Sequence, residues 1–69
     1  MNEFVKDPQQ KLSLLRANEV AEILNISLAL AYRLMQMGEI RCVRIGTAVR
    51  VRPEDLDAYI KDNLSEPDF

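Results

Sequence analysis

Residues 19–38, EVAEILNISLALAYRLMQMG, constrain this chain more than any other stretch, because they carry two apolar stripes at helical spacing joined through a corner at Asn25 and Ile26. Val20, Ile23 and Leu24 recur at the interval that gathers apolar groups on one helix face. Asn25 should end that helix, since Asn enters the left-handed backbone region at small cost, and Ile26 should fold back as a hydrophobic contact. Ser27 should open the second helix by accepting a hydrogen bond from a first-turn amide, and Gly38 supplies the stop at its far end. Two helices set at an angle by so short a turn form a helix-turn-helix, which offers its second helix to a DNA major groove.

In that second helix Ala31, Leu34 and Met35 share a stripe with Ser27 and Gly38 and are assigned to the core, while Ala29, Arg33 and Gln36 point the opposite way. Tyr32 lies on one flank of the outward face, and Leu30 and Met37 on the other. Before the motif, residues 1–11 show no sustained period and contain Pro8 and a Gln pair, which predicts a flexible arm. Leu12, Leu14 and Leu15 predict a brief strand or extended segment covering the core. The first helix opens at residues 16–18, where Arg16 has no acceptor with which to cap it; Asn18 could cap a slightly shorter helix.

After Gly38 the period changes to alternation over residues 41–45 and 48–52, with Gly46 and Thr47 between them, which predicts a β-hairpin. Val43, Ile45, Val49 and Val51 should face the helices, leaving Cys42, Arg44, Ala48, Arg50 and Arg52 outside. Pro53 suits the first position of a closing helix, where its missing amide is not needed, and Glu54 and Asp55 favour the positive end of the helix dipole. Leu56, Tyr59 and Ile60 form that helix's apolar stripe, and residues 64–69 read as an acidic tail. The fold class expected is therefore α+β, mainly α: a winged helix-turn-helix over residues 12–63 with two helices, a hairpin wing and a closing C-terminal helix.

Sixty-nine residues suffice for one small domain. No apolar run approaches the roughly 20 residues that cross a bilayer, and the first ten residues lack the basic start and apolar stretch of a secretion signal, so no membrane partner and a cytoplasmic location are expected. One cysteine, Cys42, allows no internal disulfide. With no histidine in the chain, neither a tightly held zinc ion nor a conventionally activated nucleophile is expected. No catalytic residue and no cofactor are assigned. The net charge of −2 would argue against a nucleic-acid binder, but its distribution points the other way. Residues 12–52 hold six basic side chains against three acidic ones, whereas residues 53–69 hold one against six.

Residues 14–63 resemble the excisionase-like family of small winged helix-turn-helix proteins related to MerR regulators. The resemblance rests on Leu14 and Leu15, EVAEIL at 19–24, the Ile26-Ser27 corner, YRL at 32–34, GEI at 38–40, VRIG at 43–46 and residues 50–56. It implies a protein that binds and often bends double-stranded DNA, either as a recombination directionality factor beside an integrase of a mobile element or as a small transcription regulator. The DNA-contacting residues it implies together with the helix faces are Ser27, Ala29, Tyr32, Arg33, Gln36, Arg41, Arg44, Thr47 and Arg50. Leu28, Ala29 and Leu30 stand where the family usually carries polar or basic residues, and Thr47 and Ala48 where it carries a basic wing tip. The alternative reading is a protein-interaction module that uses the apolar flank of the second helix. A further expectation is head-to-tail self-association on DNA, the basic middle of one copy meeting the acidic last helix of the next.

Overall fold

The computed structural model describes residues 13–65. Its first helix, α1 (Ala17–Leu24), buries Ala17, Val20 and Ala21, with Leu24 half-buried on the same stripe. Ile23, expected on that face, is 55% exposed. The reason is angular: three residues after Val20, it lies about 60° past the edge of the stripe, on the side away from Ala21. Asn18 does not cap the helix. Arg16 is the extended residue before it, and the Glu19 carboxylate accepts the Arg16 backbone N–H at 2.8 Å, so the acid three residues on satisfies the start that Arg16 itself cannot cap.

The corner forms as the residue types dictate. Asn25 adopts φ 58°, ψ 47°, and the amides of Asn25 and Ile26 donate to the carbonyls of Glu22 (3.2 Å) and Ala21 (3.0 Å), the paired bonds of a Schellman stop. Ile26 folds back onto the core. The Ser27 hydroxyl accepts from the Leu30 amide at 3.1 Å and starts α2 (Leu28–Gln36), which buries Ala31 and Met35. Gly38, at φ 78°, closes α2 through the same pair of bonds, from Gly38 to Met35 (3.3 Å) and from Glu39 to Leu34 (3.0 Å). The chain then drives Ile40 into the centre of the core, where it is fully buried.

The hairpin consists of β1 (Val43–Ile45) and β2 (Ala48–Arg50), each shorter than the alternation suggested. They pair antiparallel, with Val43 opposite Arg50, Arg44 opposite Val49 and Ile45 opposite Ala48. Gly46 alone takes a positive φ at the turn, as expected of a first central position. This register corrects the expected division of faces. Directly opposed residues share a face, so a two-residue turn places Val43 and Ile45 with Ala48 and Arg50, not with Val49 and Val51. Accordingly Ile45 is 58% exposed, while Cys42 and Val49 pack against the core. The Cys42 thiol donates to the Ile40 carbonyl at 3.2 Å, and burial raises its pKa against the opposing pull of Arg44.

Beyond β2, Val51 forms a bridge with Leu15 through reciprocal backbone bonds of 2.7 and 2.9 Å, which makes Leu15 the expected extended cover of the core. The last element, α3 (Pro53–Asp62), begins at Pro53 and contributes buried Leu56 and half-buried Tyr59, whereas Ile60 is exposed. The core thus joins Ala17, Val20, Ala21, Ala31, Met35, Ile40, Val51 and Leu56, taking residues from all three helices and from the ends of the hairpin.

Asp55 is the buried acid of the described residues, 8% exposed, and Arg52 grips it with Nε at 2.6 Å and Nη2 at 2.9 Å while reaching Glu54 at 3.4 Å. The Arg52 guanidinium holds the Asp55 carboxyl below the usual carboxylate range; burial opposes this, and Arg41 adds to it. A depressed folded-state pKa means stability that is present above the unfolded value near ~3.9 and is lost as pH falls through the folded one. Asp55→Asn should therefore lower the thermal midpoint at pH 7. The difference from the parent should shrink as the melts are carried to more acid pH, below the unfolded-state value, where the parent's own carboxyl takes up its proton.

Candidate nucleic-acid interface

The side of α2 turned away from the core and the hairpin beside it carry Arg33, Arg44 and Arg50. Ala29, Arg33 and Gln36 are exposed on α2 as their spacing requires. Three shallow depressions follow this side. Ser27, Ala29, Leu30 and Arg33 line one at the start of α2; the Ser27 hydroxyl there is already engaged as the helix cap. Tyr32 and Gln36 line a second with Arg44, which the corrected register sets on the Val49 face of the hairpin, next to α2. The third is a cleft in which Tyr32 and Leu28 face Thr47 and Arg50 of the hairpin across Arg16 and Asn18 from the start of α1.

Eight of the nine expected residues therefore line one or another of these three depressions. Arg41 stands apart: it lines none of these depressions, and its charge acts on Asp55 of α3. Arg52, expected to project from the hairpin, is spent on Asp55 and Glu54. Conversely, Arg16 and Asn18 line the third depression without having been expected there. Their signal was present in Leu15: once that residue pairs with the end of the second strand, its successor must lie beside the hairpin.

The electrostatics divide in the same way. Among the described residues the ion pairs are Arg52 with Glu54 and Asp55, and Lys61 with Asp57, all involving acids of α3. Arg16, Arg33, Arg44 and Arg50 form none among those residues. The groups on the interface are thus guanidinium, phenol and amide donors, the types that bind phosphate oxygens and base edges. The uncharged part of it is the leading turn of α2, where Leu28 is 46% exposed, followed on the opposite flank by Leu30 and Met37. No helix among the described residues is long and apolar enough to cross a membrane.

A search of solved structures gives no match. Two curated proteins of Mycobacterium tuberculosis, from strains CDC 1551 and H37Rv, each named "Putative DNA-binding protein", are 42% identical to this chain over 48 residues, which is 70% of this chain and 62% of each relative. The chain thus spans less than two thirds of the length of these relatives. The helix-turn-helix domain family matches residues 14–64, from the segment that carries Leu15 to the end of α3. That span takes in both capped helices, the hairpin and the residues that close the core, and the chain belongs to the helix-turn-helix domain family.

Proposed function

We propose that this protein is a small accessory DNA-binding protein, an excisionase-type recombination factor or a transcription regulator of a mobile element, acting in the cytoplasm. It docks α2 in the major groove and sets the hairpin on the adjacent backbone or minor groove. The observation that carries this reading is the separation of charge: Arg33, Arg44 and Arg50, which form no ion pair among the described residues, lie on α2 and the hairpin, while the described acids that form ion pairs lie on α3. The names of the Mycobacterium tuberculosis relatives support it.

In this reading Arg33, Arg44 and Arg50 bind phosphates, with Arg41 a more distant contributor. Tyr32 and Thr47 donate to the backbone, and Gln36 is placed to meet an adenine edge. Ser27 presents the start of α2, and Ala29 touches a thymine methyl at the apolar leading turn. Head-to-tail neighbours on DNA and an integrase as partner follow from the same reading, the exposed acids of α3 supplying the complementary surface.

The test is a calorimetric or gel-shift titration at low salt with duplexes from the protein's own genomic neighbourhood and an unrelated duplex of equal length. Binding to both, tighter for the first, is the expected result. Undetectable binding at low salt would sink the proposal. The exposed Leu30 and Met37 on one flank of α2, with Leu28 at its leading turn, favour a second reading, an interaction module that works through these apolar side chains. A concentration-dependent dimer in sedimentation, abolished by Leu30→Glu and accompanied by no DNA binding, would establish that reading instead.

A further inference from the structure

The cleft between the start of α1 and the hairpin contains a pair of arginines that the backbone forces together. Leu15 and Val51 exchange both backbone hydrogen bonds, so in this antiparallel bridge the next residue along the first segment, Arg16, stands opposite the residue before Val51, which is Arg50. Leu15 and Val51 turn to the core. Side chains alternate along extended chain, so Arg16 and Arg50 share the opposite face, and both line the cleft. Neither can swing its backbone away: the Arg16 amide is held by Glu19 at 2.8 Å, and Arg50 is paired with Val43.

Like charges directly opposite one another across paired strands are unfavourable, and a fold normally separates them or sets an acid between them. Here no ion pair compensates either arginine among the described residues. The Arg50 guanidinium is steadied by one bond, from Nη1 to the Val49 carbonyl at 2.9 Å, which leaves its other nitrogens free to donate. Asn18 and Tyr32 add further donors to the same cleft, while Thr47 and Ala48 leave the hairpin tip without charge.

We propose that this cleft seats a backbone phosphate of the bound DNA, gripped from opposite sides by Arg16 and Arg50. The seat supplies from α1 the positive charge that the hairpin tip lacks. It rests on the DNA-binding reading above and extends it to a contact outside the helix-turn-helix recognition face. An anionic phosphate relieves the Arg16–Arg50 repulsion, so the two arginines work against the free protein and for the complex.

The experiment is the salt dependence of binding to the two duplexes above, measured for the parent protein, Arg16→Gln, Arg16→Lys and Arg50→Gln, with thermal melts of each free protein in low salt. Each Gln variant should lower the magnitude of the log K against log[salt] slope by about 0.9 and weaken binding about eightfold near 0.1 M salt, equally on both duplexes. Arg16→Lys should retain most of the slope, and Arg16→Gln should melt no lower than the parent because it removes one of two like charges that line the same cleft. A parent that binds DNA with an unchanged slope in Arg16→Gln overturns the phosphate seat and leaves the DNA-binding function standing. A parent that binds no DNA overturns both. A dimer that Arg16→Gln dissociates while DNA binding persists unchanged overturns the seat by assigning the cleft to the acidic helix of a second copy.

Discussion

Replacing Arg33 and Arg44 together by alanine should weaken DNA binding roughly sixtyfold near 0.1 M salt but only about twentyfold near 0.2 M, because each phosphate contact proposed for them contributes about 0.9 to the slope of log K against log[salt]. The two residues come from different elements, Arg33 from the outward face of α2 and Arg44 from the hairpin face beside Tyr32 and Gln36. Both are exposed and neither forms an ion pair among the described residues, so their removal leaves the packed core untouched. The thermal midpoint of the double variant should stay within the range of ordinary surface substitutions, about ±0.5 kcal/mol in stability. Titrations at several salt concentrations beside a melt of the free protein make the check. A loss of affinity that is the same at every salt concentration, or one that tracks a falling midpoint, would show the arginines acting through the fold instead of through phosphate.

The backbone of this interface is legible in the sequence because each of its decisive steps is local. Asn25, Ser27 and Gly38 act through bonds to residues within five positions, so residue type alone places the corner, the start of α2 and its stop. Periodicity finds the stripe of Ala31, Leu34 and Met35 for the same reason. The hairpin shows where such reading ends. Alternation marks Val43, Ile45, Val49 and Val51 as strand residues, but the length of the turn decides which of them oppose each other, and the two-residue Gly46-Thr47 turn divides the four between two faces. That one parity moves Arg44 beside Gln36 and Cys42 into the core. Arg16 and Arg52 are harder still, since their roles depend on contacts made by folding: a bridge between Leu15 and Val51, 36 positions apart, for one, and the side-chain grip on Asp55 for the other. The residues of the interface can be listed from the sequence only as far as charge and helix face go; which arginines remain available is a tertiary fact.

Two isoleucines with opposite surroundings separate what holds the fold from what binds. Ile40→Ala should cost about 2–5 kcal/mol, the transfer and cavity penalty for a fully buried isoleucine, and in a domain of this size that lowers the thermal midpoint by about 10–30 °C. A core this small supplies only about 3–5 kcal/mol in total, so the variant should lie near or past its unfolding midpoint at 37 °C. Ile23→Ala, on the exposed flank of α1, should change stability by no more than about 0.5 kcal/mol, although both residues are isoleucines flanked by a motif stop or a motif stripe. Ile40 joins the end of α2 to the start of the hairpin, and its loss leaves every arginine of the interface in place. A half-unfolded population raises the apparent dissociation constant only twofold, and duplex at about 100 times the dissociation constant returns about 2.7 kcal/mol to the folded state. Circular dichroism of Ile40→Ala should therefore recover helical signal when duplex is added, whereas the Arg33 and Arg44 double variant should be fully folded without duplex and gain little from it. If duplex fails to refold Ile40→Ala while the parent still binds, Ile40 does more than fill the core: its packing would then set the angle between α2 and the hairpin that the complex requires.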